Sequence, residues 1–152
     1  MIELRFERLI RANAESVFAL LAELRDYDRW LPRSQAFHGT SRISDGPVGL
    51  GTTYVEDSPF GARRGTVTGF VPPTRLDFEQ PMQLKPAFLG EIGIKLFHVL
   101  APRREGVHLL RRLELAPQGL VTPLMPLVAR AFRAENERMM TALKAFAEAE
   151  AA

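Results

Sequence analysis

VTPLMPLVARAFRAENERMMTALKAFAE, from Val121 to Glu148, is the stretch whose reading decides the fold. After Pro126 it holds neither Gly nor Pro, and it is rich in Ala, Leu, Met, Glu, Arg and Lys, all good helix formers. At about 100° per residue, Leu124, Val128, Ala131, Phe132, Met139, Ala142, Leu143 and Phe146 fall on one apolar stripe. A helix of this length extends about 40 Å at ~1.5 Å per residue. A compact chain of this size has a radius of gyration of about 15 Å, so the helix must cross nearly the whole domain. Burying the stripe contributes on the order of 10 kcal/mol gross, at ~1.5–3 kcal/mol per large side chain. The only partner the chain offers is the strand-rich body upstream.

That body opens with Ile2, Leu4 and Phe6 alternating with Glu3, Arg5 and Glu7, a strand with one wet face. The alternation slips at Arg8–Leu9, which is read as a bulge. Asn13 is placed to cap a helix carrying Val17, Phe18, Leu20, Leu21 and Leu24, with Glu15 in its first turn. A second short helical segment, Asp26 to Leu31, places Tyr27 and Trp30 inward and stops at Pro32. Six strands follow: Gln35–Arg42, Thr52–Asp57, Arg63–Val71, Arg75–Glu79, Glu91–Ala101 and Val107–Ala116. Gly- and Pro-rich turns separate them, and Pro81 to Gly90 is read as irregular. The links are too short for parallel crossovers. The expected fold is therefore α+β: a seven-stranded antiparallel sheet with two short helices after strand 1 and a long C-terminal helix covering its apolar face.

At 152 residues a single domain, 1–152, is expected. The net charge of +2 and a pI of 9.4 reflect a small Arg excess, too little to indicate nucleic acid. Cysteine is absent, which excludes disulfides, thiolate metal sites and a Cys nucleophile. The N-terminal residues show no signal-peptide pattern and no apolar run is long enough to span a bilayer, so a cytoplasmic location is expected.

The order of elements and several short motifs resemble the START-like or Bet v 1-like (SRPBCC) superfamily, in its polyketide cyclase/dehydrase and lipid-transport branch. The matching residues are Val17 to Ala22 followed by Trp30 and Pro32, then Gly46-Pro47-Val48-Gly49-Leu50-Gly51-Thr52. Gly65-Thr66-Val67-Thr68, Pro72 to Leu76 and the terminal Leu143-Lys144 helix complete them. The resemblance covers essentially the whole chain. It implies a helix-grip fold, a sheet curled around the C-terminal helix with a cavity between them. It also implies either binding of a lipid, polyketide, quinone or similar small hydrophobic molecule, or cyclase/dehydratase chemistry. No shared catalytic motif transfers, no cofactor is implied, and the Gly46–Gly51 turn falls where relatives flank the cavity mouth.

Weighed residue by residue, the chemistry is sparse. Gly49-x-Gly51 lacks the Gly-Lys-Ser/Thr of a phosphate loop. His38, His98 and His108 have no metal-ligand spacing, and no serine sits in a nucleophile elbow. Trp30, Phe37, Tyr54, Phe78 and Phe97 are candidates for the pocket wall, with core packing as the competing role. His98 shares parity with Ile94, Leu96 and Leu100 and is expected to point inward. Glu135 lies within the apolar stripe between Phe132 and Met139, and Arg111 shares parity with Leu109 and Leu113. Either both charges face the cavity, pair or hold a ligand's polar head, or Arg111 faces outward and Glu135 reaches solvent at the rim. An acid–base pair for an enzyme has only Glu135, His98 and Tyr54 to draw on. Met82 to Leu89 is either a hydrophobic lip for a membrane or partner, or packs against neighbours, a homodimer mate included.

Overall fold

Alternation lays down the first element. In the computed structural model, which describes residues 1–152, β1 (Ile2–Ile10) buries Leu4, Phe6 and Ile10 on one face. The irregularity at Arg8–Leu9 is not a bulge. β1 pairs without a register shift, Arg8 keeps inner parity and bonds Glu137 of the terminal helix, and Leu9 turns outward. Asn13 caps α1 (Ala14–Ala22), its Oδ1 accepting the Ser16 amide at 2.7 Å. A 3-10 turn, Leu24–Arg29, follows. The Tyr27 hydroxyl donates to the Leu21 carbonyl, and the Trp30 indole N–H donates to Leu20 O at 3.2 Å. These two buried rings fasten the turn back onto α1.

Seven strands then follow: β2 (Thr40–Ser41), β3 (Thr53–Ser58), β4 (Gly61–Val71), β5 (Arg75–Glu79), β6 (Met82–Leu84), β7 (Glu91–Arg103) and β8 (Gly106–Gln118). Every pairing is antiparallel, in the order β1-β8-β7-β5-β4-β3-β2, with β6 bridging β4 and β7. The sheet thus has one strand more than the seven expected. Met82 and Leu84 turn inward and Gln83 outward, an alternation only three residues long and too short to read against the prolines around it. Conversely, the Gln35–Arg42 strand shrinks to Thr40–Ser41. Its first half is a turn in which Ser34 Oγ accepts the Ala36 and Phe37 amides, each at 3.2 Å. A register shift between Val67 and Gly69 bends β4 against β5.

The terminal helix α2 (Met125–Ala151) is entered through a 3-10 turn, Thr122–Leu124. Its buried line is Met125, Asn136, Met140, Leu143 and Ala147, about one residue round from the stripe read in the sequence. Val128, Phe132, Met139, Ala142 and Phe146 flank that line half-buried, while Leu124 is exposed. Against a concave sheet the centre line is the deepest position on the helix, so Met125, Met140 and Leu143 bury there while the flanks stay partly exposed. Polar ties fix the second half of α2 to the β1 end. Lys144 Nζ donates to Leu9 O at 2.8 Å, and Glu148 accepts the Arg11 amide at 2.9 Å. No helix is long and apolar enough to cross a membrane.

The packing gives a direct contrast. Leu143→Ala, at a fully buried site, is expected to lower unfolding free energy by about 2–5 kcal/mol. Leu127→Ala, on the exposed side of the same helix, should stay within about 0.5 kcal/mol of wild type. Urea denaturation of the two variants measures both, and equal losses would mean the buried line is misplaced.

Candidate functional site: a cavity under the terminal helix

The first half of α2 stands off the sheet. Between them lies a cavity of about 320 Å³, and 20 of its 28 lining residues are hydrophobic, within the ordinary size range for small-molecule sites. The floor comes from alternate inward residues of β3, β5, β6, β7 and β8, among them Tyr54, Phe78, Met82, Ile92, Leu96 and Leu113. The roof is Val128, Ala131, Phe132, Glu135, Asn136 and Met139 of α2. Leu24, Tyr27, Leu31 and Phe37 close one end, and Phe60, Lys85, Leu89 and Leu124 the other. Around that second end Phe60, Phe88, Leu120, Leu124 and Leu127 are exposed.

One glycine makes room for a wall residue. Gly65 faces Tyr54 across the β3–β4 pair, and a Cβ there would lie 2.0 Å from the Tyr54 ring. The ring therefore lies flat over Gly65, and its hydroxyl donates to Gln80 Oε1 at 2.6 Å. Tyr54 also meets Phe78 edge-on, with centroids 5.8 Å apart. Burial, then the nearby Glu56 carboxylate, raises the Tyr54 phenol well above its ordinary range, so it stays a neutral donor.

Three polar groupings interrupt the apolar wall. Deepest is Arg111 on β8, only 6% exposed. Its Nε donates to Asn136 Oδ1 at 2.7 Å and its Nη1 lies 2.8 Å from His98 Nε2. His98 Nδ1 is 3.0 Å from Leu76 O, an acceptor, so the Nδ1–H tautomer leaves Nε2 free to accept from Arg111. Asn136 is itself oriented, its Nδ2 donating to Phe132 O at 2.8 Å. Burial, then the adjacent guanidinium, pushes the His98 pKa well below its usual value and keeps the ring neutral. Burial also lowers the Arg111 pKa to about 10, which leaves it protonated at neutral pH. The second grouping is the Glu56–Arg63 pair at 3.3 Å, supported by Thr40 Oγ1 on Glu56 and by Arg63 Nη2 on Ala36 O. The third sits at the rim, where Glu135 accepts from Arg138 and from Ser34 Oγ. Burial opposes ionisation of Glu135, but the Arg138 and Ser34 hydrogen bonds outweigh it and its pKa falls.

Seven of the residues singled out in the sequence border the cavity: Phe37, Tyr54, Phe78, Arg111, Phe132, Glu135 and Met139. Two do not. Trp30 is spent on the Leu20 carbonyl and an edge contact with Tyr27. His98 is fully buried behind Arg111 and reaches the site only indirectly, through Arg111 and an edge-on contact with Phe78. Phe97 lies on the outer face of the sheet, under the Arg112 guanidinium at 4.2 Å. Arg111 and Glu135 both border the cavity but do not pair, since each has other partners. The Gly46–Gly51 turn contributes no wall residue, and Arg25 holds the Gly46 carbonyl and that of the preceding Ser44. Sequence reading missed Asn136, whose signal is its spacing of four from both Phe132 and Met140. It also missed Glu56, Arg63 and Gln80, which alternation alone does not separate from surface residues. No group of three or more His, Cys, Asp or Glu side chains converges as a metal site would require.

The neutral His98 has a consequence for stability. Unfolding frees the ring to take up a proton below its ordinary pKa of about 6.5, whereas the folded state resists it. The contribution of neutral His98 is therefore complete above about pH 6.5 and is lost as pH falls below it, at up to ~1.4 kcal/mol per pH unit. Urea unfolding between pH 7 and 5.5 should show this slope in wild type and a flatter one in His98→Gln. Parallel curves would show that His98 charges as readily folded as unfolded.

Among curated proteins none matches the sequence. The chain is similar in structure to the di-domain ARO/CYC StfQ from the steffimycin biosynthetic pathway, at 16% identity and a TM-score of 0.77, covering 99% of this chain and 52% of StfQ. It thus spans about half the length of that protein. A protein from Rhodobacter sphaeroides is similar at 20% identity and a TM-score of 0.69, covering 97% of this chain and 92% of that one. The Aha1 dimer from Colwellia psychrerythraea is similar at 14% identity and a TM-score of 0.61, covering 95% and 97%. At these identities the likeness is one of fold, the helix-grip arrangement of sheet and terminal helix. The model of the family described as polyketide cyclase / dehydrase and lipid transport matches residues 1–148, and the chain belongs to that family.

Proposed function

We propose that this protein binds a small, largely apolar molecule in the cavity beneath α2. The observation that carries the reading is the cavity itself, about 320 Å³ with 20 hydrophobic residues among the 28 that line it. Burying on the order of 300 Å² of apolar ligand surface would gain roughly 7 kcal/mol gross, from which the cost of association is subtracted. The exposed apolar residues beside Leu89 and Leu124 give such a molecule a greasy path to the interior. Acid–base catalysis has less support. Of the groups it would draw on, His98 is sealed behind Arg111, Glu135 is held ionised at the rim and Tyr54 donates to Gln80.

Titration with the neutral fluorophore N-phenyl-1-naphthylamine tests the reading. Wild type should bind it saturably with a blue-shifted emission. Val128→Trp, at a half-buried position on the cavity roof, should weaken that binding about tenfold or more by filling the space. Leu127→Trp, one residue away and exposed, should not. An unsaturable signal, or equal affinity in both variants, would remove the cavity as the binding site.

A further inference from the structure

The charges around the cavity do not cancel. Glu56 is matched by Arg63 at 3.3 Å, and Glu135 by Arg138. Lys85 lies on the exposed side of the mouth. Arg111 is left as a deep cation whose hydrogen-bond partners, Asn136 and His98, are both neutral. Its Nη2 donates to no protein atom, and the side chain borders the cavity. A buried charge with no counter-charge in contact is costly, and a core position between Leu109 and Leu113 would be filled more stably by Leu or Met. The chain instead orients Arg111 through two residues, each fixed by a backbone carbonyl: His98 by Leu76 and Asn136 by Phe132. That construction holds one end of the guanidinium rigid and leaves the other unsatisfied, as recognition of an oxyanion requires.

We infer that the natural ligand is an organic acid, an apolar body ending in a carboxylate that seats on Arg111 Nη2 at the deep end of the cavity. The inference rests on the cavity reading above and adds the charge of the ligand to it. His98 and Asn136 are positioning residues that aim the guanidinium. The neutral His98 leaves a single positive charge at the seat.

Matched pairs test the inference: 2-naphthoate against 2-naphthamide, and decanoate against decanamide, titrated calorimetrically at pH 7. In wild type each carboxylate should bind about tenfold or more tightly than its amide. The preference should persist at about 0.5 M salt, because the seat is shielded from solvent. Asn136→Asp places a carboxylate of the protein on Arg111 Nε, at the cost of the donation to Phe132 O, and should abolish the preference. Arg111→Gln should do the same if it folds, and Asn136→Asp decides the matter if it does not. Equal affinity for acid and amide in wild type, or a preference untouched by Asn136→Asp, overturns the inference. If neither member of either pair binds while N-phenyl-1-naphthylamine does, the acid ligand falls alone. If that neutral probe also fails, the cavity reading falls with it.

Discussion

The structure turns on how the two halves of α2 meet a curved sheet. Over its second half Met140, Leu143 and Ala147 press fully into the core, and Lys144 and Glu148 tie the same turns to the end of β1. Over its first half only Met125 and Asn136 are buried, and the large side chains Val128 and Phe132 remain half-buried. Apolar burial at one end is strong enough to hold the whole rod in place. The other end can therefore stand away from the sheet, and the cavity lies beneath it.

A cavity of this kind sits within an otherwise dense interior, so the residues on its wall carry constraints from both sides. Tyr54 can lie flat only because Gly65 opposite it has no side chain, and its hydroxyl is then carried to Gln80. The curvature that brings these walls together is introduced by the irregularity between Val67 and Gly69. The polar groups survive among hydrocarbon because each is tied to a named partner: Glu56 to Arg63, Tyr54 to Gln80, Arg111 to Asn136 and His98. What separates Arg111 from the rest is that it is a charge whose hydrogen-bond partners are neutral.

The elements were mostly legible because their residues repeat with a clear period. Ile92 to Leu100 and Val107 to Leu115 alternate without interruption, and β7 and β8 bury those residues. Asn13 marked the start of α1 through the chemistry of a short acceptor side chain. Where the period was too short the reading failed, as at Met82–Leu84, or stretched too far, as at Gln35–Arg42. The slip at Arg8–Leu9 misled for another reason: an inward Arg is tolerable there because Glu137, far along the chain, receives it.

From its residues alone the sequence determined the α+β class, the antiparallel pairing, the length of the terminal helix and the parity that Arg111 shares with Leu109 and Leu113 and His98 with Ile94 and Leu96, because these depend on local period and on neighbours a few positions away. The tertiary structure decided which neighbour each inward group meets. It set the rotation of α2 that puts Asn136 rather than Glu135 on the centre line, removed Trp30 and His98 from the wall, and kept Glu135 and Arg111 apart. A rotation of one residue along a helix changes no periodicity that can be read in one dimension. It changes every contact once a curved surface lies opposite, and so the site belongs to the packing.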